Sequence, residues 1–166
     1  MNNTLLSICV PSYNRSKELC RLVDSIDLEE NIELVVCDDG STDNTKEVLD
    51  KYIDKIPITY SYQENSGRGF ALKKAIEMSK GKYVIVMDSD DYFIPKTLSI
   101  ICSIISKELY KSYVFGIKLH KDKKNINIVP PDVETNYISL RGDYGLKGDL
   151  KEVVRKDIII SCLYPE

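Results

Sequence analysis

Three groups of polar residues each follow an apolar run of the chain. They are Pro11-Ser12-Tyr13-Asn14, Asp38-Asp39-Gly40-Ser41 and Asp88-Ser89-Asp90-Asp91. The five aspartates would repel one another unless cations or hydrogen-bond donors offset their charge. A divalent metal is therefore a natural occupant of this site. Oxygen-rich sites favour Mg²⁺ or Mn²⁺ over zinc.

Asp88 and Asp90 are separated by one residue. In an extended segment such residues lie on the same side, so both carboxylates can face one ligand. A metal held in this way can bind a diphosphate and neutralise the charge that develops as it leaves. The spacing favours phosphate-linked group transfer without naming the group. A solvated acidic turn before Pro95 and a plain turn at Asp38-Asp39 are the structural alternatives.

The elements around these groups follow from the spacing of apolar residues. Strands are predicted at residues 5–10, 32–37, 58–63 and 83–87, and helices at 16–26, between 43 and 57, near 69–79, and from 95 to about 106. Such alternation implies right-handed crossovers and a mostly parallel sheet with helices on both faces. Its ligands bind at the carboxyl ends of the strands, where the three polar groups converge.

Several local details follow from the same pattern. Asn14 or Ser16 is expected to cap the first helix, and Asp43 or Asn44 the second. Gly81 is expected in a left-handed conformation after the third helix. On the second helix, one shared face is predicted for Val48, Leu49, Tyr52 and Ile53.

The pattern weakens after residue 107. Residues 113–119 and 125–129 are predicted to form a strand pair around a Lys-rich turn, and residues 130–149 to be irregular. Glu152 suits the surface of a short helix. Neither a repeat nor a linker indicates a second domain, so residues 1–166 are predicted to be one domain.

Composition limits the classes of function. The chain has 166 residues, is 43% hydrophobic and carries a net charge of −3, with no evident basic face, so no nucleic-acid partner is expected. A basic, apolar leader and an apolar run of about 18 residues are both missing from the sequence, which predicts a cytoplasmic chain without a transmembrane segment. Peripheral association with the inner face of the membrane stays open.

The metal-binding and redox residues are few. His120 is the single histidine, which excludes a multi-histidine zinc site. The five cysteines form no C-x-x-C pair, and we expect reduced structural thiols.

Five motifs, in this order and spacing, resemble family-2 glycosyltransferases. They are residues 10–15 (VPSYNR), 36–43 (VCDDGSTD), 65–67 (NSG), 81–83 (GKY) and 87–91 (MDSDD). The resemblance is strong over residues 4–106 and weaker at 148–153. It implies an α/β, GT-A, Rossmann-like fold with a mostly parallel sheet flanked by helices. Residues 1–106 would be the nucleotide-binding half, and 107–166 an incomplete acceptor-side half with a short antiparallel strand pair.

The resemblance also implies roles for single residues. Pro11, Tyr13 and Asp39 would line the base pocket, with Asp39 accepting from the pyrimidine N3. Asp88 would face the ribose or the metal, Asp90 would bind the metal, Mn²⁺ or Mg²⁺, and the basic residue Arg68 would meet the donor. The remaining expected nucleotide-binding residues are Asn14, Asn65, Gly67 and Ser89. Gly69, Leu72 and Lys73 depart from the family pattern, which leaves the donor sugar undefined.

By the same resemblance, the chain would transfer a sugar from a nucleotide-diphosphate sugar, most simply a UDP-sugar, to a hydroxyl acceptor with inversion. The acceptor could be a glycan, a lipid-linked group or another hydroxyl, and a homodimer is compatible. The catalytic base is expected beyond Glu166. One alternative is a nucleotide-sugar-binding domain without efficient transfer. Another is a sugar nucleotidyltransferase, which would need a glycine-rich basic loop after strand one. A phospho-receiver is disfavoured because strand one ends without paired acids.

Overall fold

The structure is a computed structural model, and it describes residues 4–27, 31–109, 111–116 and 150–163. In chain order its elements are β1 (Leu6–Ser12), α1 (Ser16–Asp24), β2 (Ile32–Asp38), α2 (Thr45–Asp50), β3 (Ile58–Tyr62), α3 (Arg68–Met78), β4 (Tyr83–Val86), α4 (Thr97–Ile105), β5 (Ser112–Gly116), β6 (Leu150–Arg155) and α5 (Lys156–Leu163). These elements match the predicted alternation of strand and helix through α4.

A six-stranded sheet in the order β3-β2-β1-β4-β6-β5 forms the centre of the fold. The first four strands are parallel, and β6 is antiparallel to both β4 and β5. Alternate residues of a strand face opposite sides. Accordingly Ile8 and Val10 pack in a core with α1, α2 and α4, while Cys9 packs with α3 and α5. The predicted α/β class and mostly parallel sheet are confirmed.

The start of α1 differs from the prediction, because neither Asn14 nor Ser16 caps it with a side chain. Instead, Asp43 Oδ2 accepts from the Ser16 amide at 2.9 Å, and its Oδ1 accepts from the amide and hydroxyl of Thr45 at 3.1 and 2.6 Å. Burial raises the pKa of Asp43, but these hydrogen bonds lower it by more than burial raises it. The pKa of Asp43 therefore lies below the usual range. One ionised carboxylate therefore serves the first turns of two helices.

The prediction for Gly81 is wrong, because among the described glycines a positive φ occurs at Gly40 and Gly67. Close packing explains the glycine instead. A Cβ on Gly81 would lie 2.5 Å from Ser7 Oγ and 2.7 Å from Ser7 N. Ile53 is also not on the buried face, since α2 ends at Asp50 and 59% of Ile53 is exposed.

The C-terminal part differs in its pairing. Strand β5 pairs with β6, whereas residues 125–129, its predicted partner, lie outside the described residues. Glu152 belongs to β6 and not to a helix. Residues 150–155 were too short a run for their period to be assigned, and β6 is defined by its long-range pairing between β4 and β5.

Among the cysteine side chains that the structure describes, Cys9, Cys20, Cys37 and Cys102 are free thiols. Burial, with a contribution from the negative charge of Glu33, raises the pKa of Cys9 to about 12. At pH 8 only roughly 10⁻⁴ of such a thiol is ionised, and the thiolate is the nucleophile.

We therefore expect Cys9 to stay unlabelled by iodoacetamide in the native protein, while the half-buried Cys20 and Cys102 react first. Peptide mass spectrometry after native and urea-denatured labelling measures this order. Native labelling of Cys9 as fast as that of Cys102 would contradict the buried, protonated thiol.

Candidate functional site

The candidate site lies at the carboxyl ends of β1, β2 and β4. Strand β1 lies between β2 and β4 in the sheet, so the segments that follow these three strands meet at one edge. The strand order reverses at this point, which is where open α/β sheets form their ligand crevice. All three polar groups of the sequence are placed here.

Asp39 joins the end of β2 to the turn before α3. Its Oδ1 accepts from the Gln63 side chain at 2.7 Å and from the Ser66 amide at 2.9 Å, and its Oδ2 accepts from the Gly67 amide at 2.8 Å. Only 4% of Asp39 is exposed. Burial raises the pKa of Asp39, but these hydrogen bonds outweigh burial and place the pKa below the usual range. Asp39 is therefore an ionised anchor of the turn.

Asn14 joins the loop after β1 to the loop after β2. It has a left-handed φ of 51°. Its Oδ1 accepts from the Thr42 amide at 2.8 Å, and its own amide donates to Ser41 Oγ at 2.8 Å. Tyr13, immediately before it, is left 48% exposed at the edge. Asn14 thus positions Tyr13, while its own contact with a nucleotide stays a prediction.

Asp38 is occupied by the chain itself. Its Oδ2 accepts from the Tyr60 hydroxyl at 2.8 Å, and its Oδ1 accepts from the Ser41 amide at 2.8 Å. The pKa of Tyr60 is raised, mainly by burial and then by the hydrogen bond to Asp38 and the negative charge of Asp38. The neighbouring Ser12 hydroxyl is buried without a hydrogen-bond partner. Hydrogen-bond donors of the chain therefore offset the charges of Asp38 and Asp39.

The acidic segment after β4 carries two arginine contacts. Arg68 Nε donates to Asp88 Oδ1 at 3.0 Å, and its Nη2 donates to the same oxygen. Arg15 Nη1 lies 3.7 Å from Asp90 Oδ2. The side chains of Asp88 and Asp90 are 41% and 54% exposed, so both remain open to a ligand. Ser89 between them is buried.

These residues fit a divalent metal of the predicted kind. In the described residues, no three histidine, cysteine, aspartate or glutamate side chains are grouped around one point. A complete protein cage is therefore not formed there. Mg²⁺ is usually bound by one or two carboxylates together with substrate phosphates, which is what Asp88 and Asp90 can supply.

Sequence reasoning identified the edge but missed some partners within it. Pro11 is buried in β1, and Asn65 and Gly67 lie in the turn that Asp39 holds. Gln63, Tyr60 and Arg15 were not singled out. Arg15 belongs to the motif at residues 10–15, and its positive charge three residues after the end of β1 was the available signal.

The described helices include none that is long and apolar enough to cross a membrane.

The model of the family "Glycosyl transferase family 2" matches residues 7–155. An uncharacterised glycosyltransferase of Mycoplasma genitalium is 36% identical over 66% of this chain and 40% of its own length. Chondroitin synthase of Escherichia coli is 33% identical over 72% of this chain and 18% of its own length. The chain thus spans less than half the length of these curated relatives.

Solved structures agree with the fold. Staphylococcus aureus TarS 1–349 superposes with a TM-score of 0.75 at 24% identity, over 96% of this chain and 49% of that chain. Mannosyltransferase PcManGT of Pyrobaculum calidifontis, in complex with GDP-Man and Mn²⁺, superposes with a TM-score of 0.56 at 22% identity. The match covers 64% of this chain and 34% of that chain. These matches confirm the GT-A architecture. Since the family model covers well over half of the residues, the chain belongs to glycosyl transferase family 2.

Proposed function

We propose that this edge of the sheet binds a nucleotide-diphosphate sugar, most simply a UDP-sugar, for inverting transfer to a hydroxyl acceptor. The observation that carries the proposal is the geometry of Asp39. Its carboxylate is fixed by three donors of the chain, whereas an ionised carboxylate has about four acceptor positions. One acceptor position on Oδ2 remains for a ligand N–H, such as the N3 of a uracil base.

The neighbouring residues have complementary tasks. Tyr13 follows Ser12, whose carbonyl accepts from the Asp39 amide, and it offers a half-exposed ring whose face can stack on a base. Pro11 and Asn14 shape the loop that presents this ring. Arg68 begins α3, where its guanidinium can turn from Asp88 to a phosphate oxygen.

Asp88 and Asp90 would hold Mn²⁺ or Mg²⁺ together with the diphosphate. When bound, the metal neutralises the negative charge of the departing nucleotide diphosphate.

Solved relatives support this class of ligand. TarS has been crystallised with UDP and with UDP-GlcNAc. The mannosyltransferase binds a guanine nucleotide sugar with Mn²⁺, so a shared fold does not by itself select uracil. The comparison of UDP with GDP is therefore part of the test.

We expect UDP to bind at least about tenfold more tightly with Mn²⁺ than with a chelator, a difference of about 1.4 kcal/mol, because the metal links the carboxylates to the diphosphate. Isothermal titration calorimetry with UDP and GDP, each with Mn²⁺ and with EDTA, measures it. Equal affinity in Mn²⁺ and in EDTA would contradict the metal link. Metal-dependent UDP binding without transfer from any UDP-sugar to simple hydroxyl acceptors would favour the binding-domain alternative.

A further inference from the structure

Each carboxylate of the Asp88-x-Asp90 pair has an arginine from a different segment of the chain beside it. Arg68, at the first residue of α3, contacts Asp88. Arg15, immediately before α1, contacts Asp90. The two contacts connect the loop after β4 to the loop after β1 and to the start of α3.

Arg21 makes two further contacts with the loop after β4. Arg21 Nη2 donates to the Asp90 carbonyl, and its guanidinium lies 5.1 Å from the centre of the Tyr92 ring. The backbone at Asp90 is thus fixed without Arg15. The contact between Arg15 and Asp90 is then a contact between charges, and it is not needed to shape the loop.

At each carboxylate of the pair, the adjacent guanidinium offsets the negative charge. A divalent cation arriving alone would be repelled by the guanidinium group beside each carboxylate. Arg15 has a second carboxylate in reach, since its Nη1 lies 3.8 Å from Glu18 Oε1, so it can leave Asp90 without losing every partner. A diphosphate arriving with the metal offers both guanidinium groups new anionic partners.

We propose that Arg15 and Arg68 are exchangeable counter-ions of the acidic pair: they oppose a metal ion that arrives alone and pass to the diphosphate when nucleotide and metal arrive together. This inference rests on the proposed function and adds Arg15 as a second residue that faces the phosphates. It makes the binding of metal and nucleotide mutually dependent.

The first test uses the metal alone. Binding of Mn²⁺ to the whole chain is followed by the electron paramagnetic resonance signal of free Mn²⁺, for wild type, Arg15→Gln and Arg68→Gln. We expect each variant to bind Mn²⁺ roughly two- to fivefold more tightly, because exposed ion pairs of this kind contribute modestly. Lys82→Gln is the matched control. It removes one positive charge from the exposed pair with Glu108, at the opposite end of β4.

The second test adds UDP at saturating Mn²⁺. We expect each arginine variant to bind UDP roughly threefold or more weakly, while Lys82→Gln binds UDP as wild type does. Unchanged or weaker binding of Mn²⁺ alone in both arginine variants would overturn the proposal. So would an equal gain in Lys82→Gln, since the effect would then be one of net charge.

The experiments distinguish a failure of the proposed function from a failure of the counter-ion proposal. If wild type binds no UDP at any Mn²⁺ concentration, the proposed function fails, and the assignment of Arg15 and Arg68 to phosphates fails with it. The metal-only comparison still decides whether the arginines oppose the cation at Asp88 and Asp90.

Discussion

Asp39→Ala is expected to abolish measurable UDP binding and to lower the free energy of unfolding by about 2–4 kcal/mol, because three hydrogen bonds to a buried carboxylate are lost together. The turn before α3 would lose its attachment to β2, and Arg68 begins the helix that follows this turn. Calorimetric titration with UDP and Mn²⁺, and urea unfolding followed by circular dichroism, measure the two effects. Undiminished UDP affinity in the folded variant would place the base pocket elsewhere.

Asp39→Asn is the matched comparison, because it keeps the shape and one acceptor oxygen. Its NH₂ group would face the Gly67 amide, so we expect a smaller loss of stability, about 1–2 kcal/mol. The sign of the pH dependence follows from the lowered pKa of Asp39. Its stabilisation is present above the unfolded-state pKa, near about 3.9, and is lost as the pH falls through the lower pKa of the folded state.

The stability difference between wild type and Asp39→Asn should therefore shrink as the pH is lowered below about 4. Urea unfolding at a series of pH values measures this difference. A difference that stays constant across that range would show that the Asp39 charge is not what holds the turn.

Gly81→Ala is expected to lower the free energy of unfolding by about 1–3 kcal/mol, because the new methyl group would meet backbone and not only a movable side chain. It would lie 2.7 Å from Ser7 N and 2.9 Å from Leu6 C, both in β1. The same shift would strain the hydrogen bond from the Gly81 amide to Ser7 Oγ, which is 2.8 Å long. Urea unfolding measures the loss.

Gly69→Ala is the control for this change. It adds the same methyl group within α3, where nothing lies within 4 Å of the new atom. We expect a gain of about 0.5–1 kcal/mol, since alanine restricts the unfolded chain and favours the helical conformation more than glycine does. Similar losses in both variants would contradict close packing as the reason for glycine at position 81.

What the sequence could predict was local in origin. The first four strands follow from apolar runs, and the convergence of Asp39, Asp88 and Asp90 at one edge follows from parallel strand direction alone. Each requires knowledge of only a few neighbouring residues and of the handedness of crossovers.

What the sequence could not predict depended on distant partners. Asp43 supports the start of α1 at a separation of 27 residues, and Gly81 packs on Ser7 at a separation of 74. The capping rule named Asp43 for the start of α2, but it could not show that the same carboxylate reaches the start of α1. The pairing of Asp88 with Arg68 is likewise set by the fold and not by spacing.

The position of β6 between β4 and β5 has a consequence for biosynthesis. Strand β4 can pair with β1 as soon as residues 83–86 leave the ribosome, but its other edge waits for residues 150–155. At about 5–20 residues per second, that delay is roughly 3–13 s. During it the apolar sequence Tyr-Val-Ile-Val presents an unpaired edge, which is a template for pairing with another nascent chain. A chain released before residue 150 has been added would therefore be prone to aggregate through β4.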